Sequence, residues 1–251
     1  MNSFNAYCKV SISPVRSEPK DQSEIVTQLL FGELISVHEI NEPWAKITTV
    51  ADGYEGIIDF KHFQKLTDEE TRRWSDGLDI LKVRECELDT PWGLQRICRG
   101  SYIPSNEVEF NIGDDHFHLL NCIEVSLKSP WDYALDYLNT PYLWGGKSPF
   151  GIDCSGITQI IYRIFSINLP RDASDQVHVG NDVDFTEIIS GDLAFFENKS
   201  GKITHVGICN GKGEIIHAAG HVRKDKITST GIINAESGYL THKLTCIKRV
   251  I

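Results

Sequence analysis

The 251-residue chain lacks the features that would place it in several common classes of protein. It contains no Cys-x-x-Cys pair, and its seven cysteines are scattered and odd in number, so we expect reduced thiols rather than a zinc framework or a secreted disulfide scaffold. No apolar run approaches the roughly 20 residues that a membrane span requires. Residues 1–10 have neither the basic nor the apolar region of a signal peptide, so we expect a cytoplasmic protein without a membrane partner.

Positive charge is also scarce. The chain has 25 Lys and Arg against 35 Asp and Glu, and its net charge of -10 argues against a nucleic acid partner, because binding to a phosphate backbone needs a basic face. The content of 41% hydrophobic and 24% charged residues is ordinary for a soluble globular protein, and the length allows one large domain or two to three small ones. We expect a monomer that uses no cofactor.

One short segment combines histidine and aspartate in a way that could suggest a metal site. His116 and His118 lie beside Asp114 and Asp115, but no further ligand is spaced to match. We interpret this segment as a polar hairpin turn and expect no metal.

The first half of the chain is typical of small all-β domains. Runs rich in β-branched and aromatic residues, separated by turn residues, predict strands at 25–30, 34–40, 44–49 and 54–59. Residues 67–76 are highly charged and suit a linker or a single helical turn. A second, more divergent set of strands is predicted at 78–84, 94–98, 107–112 and 118–124. We therefore predict two small barrels, over residues 1–70 and 71–128.

From residue 129 the pattern changes to that of an α+β domain, which we assign to residues 129–251. Pro130 suits the first position of a short helix over 131–138. A second helix follows near residue 154. Antiparallel strands are predicted at 193–197, 203–209, 214–219 and 245–250.

The second helix begins at a cysteine. After residues 151–156 the apolar residues recur at helical spacing, which places Cys154 on the buried face of the first turn with Asp153 as the N-cap. A helix N-terminus stabilises an anion, and the thiolate is the nucleophilic form of cysteine. A buried structural cysteine explains this position equally well on its own.

Two histidines in the predicted sheet could serve such a cysteine. His205 and His217 lie in strands joined through residues 210–213. A loop of three or five residues places both side chains on one face, and a loop of four places them on opposite faces. The three-residue form is common. Each histidine alone could be an ordinary half-buried polar residue.

Six ordered motifs resemble those of the NlpC/P60 cysteine peptidases. They cover residues 141–146 (Pro-Tyr-Leu-Trp-Gly-Gly), 151–156 (Gly-Ile-Asp-Cys-Ser-Gly), 169–172 with Gln176, 191–196, 204–208 and 215–218. The segments at 15–16, 30–33, 44–47 and 52–57 resemble a bacterial SH3 domain. The resemblance implies a papain-like catalytic domain in the α+β class, preceded by two small all-β SH3-like barrels.

The resemblance also implies roles for individual residues. Cys154 matches the nucleophile, His205 the general base and acid, and His217 the residue that orients it. The positions that bind substrate in the family match Tyr142, Asp153, Ser155, Asp172, Glu18 and Tyr54 of this chain. The last two could instead be ordinary loop surface and a barrel aromatic.

The architecture resembles the subgroup that hydrolyses murein peptides between γ-D-glutamate and the diamino acid. That subgroup requires a free N-terminal L-alanine and releases L-Ala-γ-D-Glu, so a murein peptide is the expected partner in murein recycling. One alternative is an endopeptidase or amidase that acts on intact peptidoglycan through wall-binding SH3 modules. A non-catalytic binding protein is a further alternative. The sequence does not distinguish lysine from diaminopimelate as the third residue.

Overall fold

A computed structural model describes residues 3–105, 107–122 and 126–251. The chain divides into two compact units. Unit one comprises Met1–Val125 with Lys147–Pro149, and unit two comprises Ser126–Gly146 with Phe150–Ile251.

Unit one begins with a seven-stranded antiparallel sheet in the order β3-β2-β6-β5-β4-β1-β7. Its strands are β1 (Phe4–Cys8), β2 (Ile12–Arg16), β3 (Ile25–Leu30), β4 (Leu34–Asn41), β5 (Trp44–Thr49), β6 (Glu55–Asp59) and β7 (Phe63–Leu66). A short 3-10 helix, Phe60–His62, precedes the last strand. The predictions for 25–30 and 44–49 are confirmed, and those for 34–40 and 54–59 are confirmed to within a residue. Burial alternates along β2, as the period of two requires when one face covers a core.

The charged segment at 67–76 forms a helix of two turns, α1 (Asp68–Ser75), rather than a linker or a single turn. Thr67 and Glu70 make a capping box, in which Thr67 Oγ1 accepts from the Glu70 amide at 3.2 Å and a Glu70 carboxylate oxygen accepts from the Thr67 amide at 2.7 Å. Trp74 on the same helix is buried and donates Nε1–H to the carbonyl of Gly32 at 2.9 Å. The helix is therefore anchored at both ends.

The second β-module contains more strands than the sequence predicts. Its strands are β8 (Leu78–Ile80), β9 (Glu85–Thr90), β10 (Gly93–Cys98), β11 (Tyr102–Pro104), β12 (Glu109–Ile112) and β13 (Asp115–Leu120). They form a four-stranded sheet in the order β10-β9-β13-β12 and a pair β11-β8. The prediction at 118–124 ends partly outside the described residues. Residues of both modules, including Phe31, Trp74 and Phe117, share one buried cluster.

The prediction that all cysteines are reduced is wrong for two of them. Cys86 on β9 and Cys122, just after β13, form a disulfide. Because β9 and β13 are neighbours in the sheet, the two residues meet although 36 positions separate them. The other five cysteines are free.

Unit one also contains a buried ion pair between distant parts of the sequence. Lys147 Nζ lies 3.1 Å from Glu33 Oε1, and both side chains are 2% exposed. The amide of Lys147 donates to Gln28 Oε1 at 2.8 Å. Both contacts join Lys147 to unit one, to which Lys147–Pro149 belongs.

Unit two contains three α-helices, which are α2 (Pro130–Asp136), α3 (Cys154–Ile164) and α4 (Ala173–Gln176), and a short 3-10 helix, Phe185–Glu187. Ser129 caps α2 and Pro130 occupies its first position, as predicted. The short helix α4 was not predicted from sequence. Within the described residues, no helix is long and apolar enough to cross a membrane.

Strand β14 (Lys147–Ser148) belongs to unit one, and the short strands β15 (Gly151–Ile152) and β16 (Asn181–Asp182) belong to unit two. The other six strands of unit two close into a barrel. They are β17 (Ser190–Glu197), β18 (Ile203–Asn210), β19 (Glu214–Ala219), β20 (His221–Thr228), β21 (Gly231–Ile233) and β22 (Leu240–Arg249). The large sheet has the order β16-β22-β17-β18-β19-β20-β21, and β21 pairs again with β22. The strands β20 and β21 were not predicted, and β22 begins five residues earlier than expected.

Candidate active site

Cys154 is the first residue of α3, as predicted, and is buried. Its Sγ lies 4.0 Å from the carbonyl oxygen of Thr204, and a hydrogen bond from the Val206 amide lowers the pKa of the thiol. Because Thr204 and Val206 flank His205 on β18, the thiol lies alongside the part of the strand that carries that histidine.

Asp153 holds the first turn of α3 in place. Its Oδ1 accepts from the Gly156 amide at 2.7 Å, which is the predicted N-cap, and its Oδ2 accepts from the Gly145 amide at 2.8 Å. The guanidinium of Arg171 spans both oxygens at 3.1 and 2.6 Å, and Ser155 Oγ accepts from Arg171 at 2.9 Å. Asp153 and Ser155 therefore position the helix start, and their contact with substrate stays a prediction.

The hairpin of β18 and β19 places both predicted histidines on one face. The loop contains three residues, Gly211 to Gly213, which is the form favoured from sequence. Gly207 lies directly opposite His217, so His205 is diagonal to His217 rather than opposite it. The two side chains still meet, with His205 Nε2 lying 2.7 Å from His217 Nδ1.

A carboxylate that sequence reasoning missed continues this line of hydrogen bonds. His217 Nε2 lies 3.0 Å from Asp225 Oδ2, and both side chains are 1% exposed. Arg223 lies opposite His217 on β20, so Asp225 is the next diagonal neighbour. The strand β20 was not predicted because its Arg-Lys-Asp-Lys run does not resemble a half-buried strand. Without that strand, no signal in the sequence connects Asp225 with the histidines.

A third imidazole, also missed, packs against the first two. The His242 ring stacks on His205 with centroids 4.3 Å apart, and it meets His217 edge-on at 5.6 Å. His242 lies on the first part of β22, which the sequence prediction began only at residue 245.

Burial sets the charge state of the thiol and its neighbour. Burial, followed by the charge of Asp153, raises the pKa of the Cys154 thiol to about 12. Burial and the imidazoles of His217 and His242 hold the pKa of His205 well below its ordinary value. The thiol and the imidazole are therefore both neutral in the resting protein, and the helix start alone does not produce a thiolate.

Tyr142 lies close enough to Cys154 for a charge on the sulfur to change the pKa of the Tyr142 hydroxyl. Burial, then the charges of Cys154 and Asp153, raises the pKa of the Tyr142 hydroxyl to about 12. The phenol therefore remains a hydrogen-bond donor at neutral pH. Its backbone amide donates to the carbonyl of Gly220 at 3.0 Å, which fixes the turn that carries it.

The three imidazoles bring nitrogen atoms within 4.8 Å of one another, which raises the question of a metal. The His205 and His217 nitrogens are 2.7 Å apart, whereas two nitrogen ligands of one tetrahedral Zn²⁺ lie about 3.3 Å apart. The observed spacing is that of a hydrogen bond, and the donor set fits a proton relay better than a metal site.

The remaining predicted substrate groups lie in different places. Asp172 is half-buried immediately before α4, a helix that packs on β18, so it belongs to the same unit as the thiol. Glu18 and Tyr54 belong to unit one. Glu18 is 59% exposed and pairs with Lys20, and Tyr54 lines a groove of about 360 Å³ with Arg16 and Lys46. Contact of all three with substrate stays a prediction.

Comparison with known proteins supports the resemblance seen in the sequence. The NlpC/P60 family matches residues 139–249, and the bacterial dipeptidyl-peptidase SH3 domain matches residues 15–59. The γ-D-glutamyl-L-lysine dipeptidyl-peptidase of Bacillus subtilis is 44% identical over 84 residues, which are 33% of this chain and 28% of that protein. Dipeptidyl-peptidase 6 of Lysinibacillus sphaericus is 26% identical over 251 residues, covering 86% of this chain and 88% of that protein.

A solved structure shows the same fold. The NlpC/P60 family protein from Bacillus cereus superposes with a TM-score of 0.78 at 20% identity, covering 98% of this chain and 99% of that chain. By contrast, the chain spans only 28% and 25% of the lengths of the Bacillus subtilis and Bacillus cereus dipeptidyl-peptidases that it matches. Taken together, residues 139–249 form an NlpC/P60 domain, and an SH3 domain of the bacterial dipeptidyl-peptidase type precedes it at residues 15–59.

Proposed function

We propose that the chain is a cysteine peptidase that hydrolyses the bond between γ-D-glutamate and the diamino acid of murein peptides with a free N-terminal L-alanine. The observation that carries this proposal is that the Cys154 thiol lies against the strand backbone that flanks His205, whose Nε2 is 2.7 Å from His217 Nδ1. A nucleophile, a base within reach and a group that orients the base are the parts that acyl transfer requires.

The first step of the proposed reaction forms a thioester. His205 Nδ1 takes the thiol proton while Cys154 Sγ attacks the carbonyl carbon, and the carbonyl electron pair moves to oxygen. The oxyanion collapses, the carbon–nitrogen bond breaks, and the His205 imidazolium gives its proton to the departing amine. Because thiol and imidazole both start neutral, proton transfer accompanies the attack.

The second step releases the dipeptide. His205 takes a proton from water as the water attacks the thioester, and the thiolate leaves and regains the proton. The backbone amide of Cys154 and the hydroxyl of Tyr142 are the donors available for the oxyanion. Since burial keeps the Tyr142 hydroxyl protonated, with a pKa of about 12, it can donate throughout the cycle.

The substrate assignment rests on the relatives and on the SH3 domain. Two relatives named dipeptidyl-peptidases match the chain, and one of them matches over 86% of it. An enzyme that removes a dipeptide must bind a free ammonium group, which carboxylate or phenol oxygens such as those of Glu18 and Tyr54 can do.

The test compares matched soluble peptides by mass spectrometry. L-Ala-γ-D-Glu-L-Lys and its diaminopimelate counterpart, each with a free or an acetylated N-terminus, are incubated with wild-type protein and with the Cys154→Ala variant. We expect L-Ala-γ-D-Glu from the free peptides only, and no product from the variant.

Other outcomes would change the assignment in defined ways. Equal cleavage of free and acetylated peptides would contradict the requirement for a free amine. Release of fragments from intact sacculi without cleavage of the soluble peptides would favour the endopeptidase or amidase alternative. Turnover that survives Cys154→Ala would contradict a cysteine peptidase.

A further inference from the structure

Asp225 is a buried carboxylate near the proposed site, and both of its oxygens have hydrogen-bond partners. Its Oδ2 accepts from Arg223 Nε at 2.9 Å and faces His217 Nε2 at 3.0 Å, while its Oδ1 accepts from the Ala235 amide at 2.7 Å and from Arg223 Nη2 at 3.3 Å. Burial alone would raise its pKa, but the hydrogen bonds from His217, Ala235 and Arg223 hold that pKa far below the ordinary value. The group is therefore an ionised acceptor.

An ionised acceptor determines where the neighbouring protons lie. A carboxylate can only accept, so His217 must carry a proton on Nε2. In neutral His217 the other nitrogen, Nδ1, is then an acceptor. With His217 in this singly protonated form and His205 kept neutral by its burial, His205 donates from Nε2 across the 2.7 Å contact, which leaves its own Nδ1 unprotonated.

We propose that Asp225 is a positioning residue for the proposed peptidase reaction, because it fixes the tautomers of both imidazoles and so keeps Nδ1 of His205 ready to accept the thiol proton of Cys154. This proposal rests on the proposed function, but it concerns a proton arrangement that can be measured without substrate. Among the described residues, the hydrogen-bond partners of the Asp225 carboxylate are His217, Arg223 and Ala235, so Asp225 acts through His217.

Several charged or titratable groups surround the hydrogen-bonded line of His205, His217 and Asp225, and each can influence the pH dependence of these side chains. On β20 they are Asp225 and Arg223, and on β18 and β22 they are His205 and His242. Arg223 also faces Glu236 at 3.6 Å. The thiol itself faces the charges of Asp153 and Arg171 and the hydroxyl of Tyr142.

The variant Asp225→Asn should reverse the arrangement. At the Oδ1 position, an amide NH₂ would face the donors of Ala235 and Arg223, neither of which can become an acceptor. At the Oδ2 position it would face one such donor, together with His217, whose Nε2 can become an acceptor. The NH₂ is therefore expected at the Oδ2 position. His217 then carries its proton on Nδ1 and donates it to His205, whose proton moves to the nitrogen that should serve as the base.

Asp192 offers a matched control. It is also buried, and it accepts from the Arg249 guanidinium at 2.8 Å on each oxygen and from the Ile189 amide at 2.8 Å, but it has no imidazole partner. Asp192→Asn therefore removes the same kind of charge from an arginine and a backbone amide. Any loss of stability should be similar in both variants, whereas the proton arrangement should change only in Asp225→Asn.

Nitrogen NMR of the histidine side chains is the primary test, since nitrogen shifts tell a protonated ring nitrogen from an unprotonated one. We expect the Nε2–H tautomer for His205 and His217 in the wild type and in Asp192→Asn, and the Nδ1–H tautomer for both in Asp225→Asn. An imidazolium or an Nδ1–H tautomer at His217 in the wild type overturns the proposal, and this measurement needs no variant to fold.

Kinetics provide a second readout. We expect kcat/KM of Asp225→Asn to fall between about 100-fold and 10,000-fold, the usual contribution of a general base, mainly through kcat. Unchanged kcat/KM, or an equal loss in Asp192→Asn, would overturn the role of Asp225. If no murein peptide is cleaved by the wild type, the proposed function fails, while the tautomers and the rate of Cys154 alkylation still decide the role of Asp225.

Discussion

The charge state of the thiol is the property of Cys154 that has the clearest experimental signature. A thiolate–imidazolium pair would react with alkylating reagents at nearly constant rate over a wide pH range. A neutral buried thiol behaves differently, because its reactive fraction rises tenfold for each pH unit below its pKa. The environment of Cys154 favours the second case, with a pKa raised to about 12.

We therefore predict that the alkylation rate of Cys154 by iodoacetamide rises without a plateau between about pH 6 and about pH 10. The rate is followed by intact mass, and the Cys154→Ala variant gives the contribution of the other free cysteines to subtract. A plateau that extends to the acid side of neutrality would show a preformed ion pair and contradict the neutral resting state.

His242 should make the stability of the protein depend on pH. Burial, assisted by His217, lowers the pKa of His242 from 6.5 to about 4, while Asp225 opposes the shift. As the pH falls, His242 takes up its proton in the unfolded chain before it does so in the folded protein. The stability that depends on a neutral His242 is therefore fully present above about pH 6.5 and is lost as the pH falls toward the folded pKa. We expect the free energy of unfolding to fall from pH 7 to pH 5 by about 1 kcal/mol more in the wild type than in His242→Gln, allowing for partial exposure.

Chemical denaturation at the two pH values measures this difference. His62 and His205 also have lowered pKa values because of burial, so the variant should keep part of the acid sensitivity. Equal losses in wild type and variant would show that His242 does not titrate in this range.

At the scale of single residues, the sequence predicts the proposed nucleophile and the two histidines of β18 and β19, but not the side chains that pack around those histidines. Cys154 at a helix start and two histidines on one face follow from helical and strand periodicity, which are local properties. Asp225 and His242 could not be found in this way, because each lies on a strand, or part of a strand, whose charged or polar residues hide the pattern. What positions them is pairing with strands elsewhere in the barrel.

The start of α3 fits tightly against the turn that precedes it. A Cβ atom on Gly156 would lie 2.2 Å from the carbonyl oxygen of Gly146, so an alanine cannot be accommodated unless the backbone moves. The same turn carries the Gly145 amide that Asp153 holds. The packing of one glycine therefore fixes the relative position of the helix start and the Tyr142 turn.

We predict that Gly156→Ala lowers the free energy of unfolding by about 1 to 3 kcal/mol, the usual cost of overpacking. It should also lower kcat, because the displaced turn carries Tyr142, a proposed oxyanion donor. Thermal unfolding and steady-state kinetics test the two effects together. Wild-type stability and turnover in this variant would show that the turn shifts at no cost.

At the scale of elements, prediction succeeds where local signals are strong. Strands β3 and β5 have the predicted bounds because Gly and Pro mark their ends, and α3 begins at the predicted residue because Asp153 caps it. The two-turn helix α1 was underestimated because its only buried side chain is Trp74. Its capping box at Thr67 and Glu70 was visible in the sequence and would have corrected the prediction.

Long-range pairing is what the sequence could not supply for the whole molecule. The disulfide of Cys86 and Cys122, the ion pair of Glu33 and Lys147, and the contact that closes the barrel between β21 and β22 all depend on which distant segments become neighbours. Periodicity gives the face on which a residue lies, but not its partner.

The pair of Glu33 and Lys147 allows a test at this scale. Removing one partner leaves an uncompensated buried charge, so we expect Glu33→Gln to lower the free energy of unfolding by about 3 to 5 kcal/mol. The double variant Glu33→Leu with Lys147→Met should lose much less, since it buries no charge.

Glu39→Gln, at an exposed position on β4, the strand that follows Glu33, is the matched control and should change stability by less than about 0.5 kcal/mol. Urea denaturation of the four proteins gives the comparison. A small loss in Glu33→Gln, similar to that of the control, would show that the pair contributes little to stability.

The closed barrel has a consequence for how such a domain can diversify. His205, His217 and Asp225 lie on three successive strands, β18, β19 and β20, so the relay runs across the sheet rather than along a loop. The spacing of its atoms is set by the distance between hydrogen-bonded strands, which barely varies among sheets. Insertions and deletions in loops other than those joining β18, β19 and β20 can therefore change what the domain recognises while these three side chains keep their spacing, which separates the evolution of specificity from that of the chemistry.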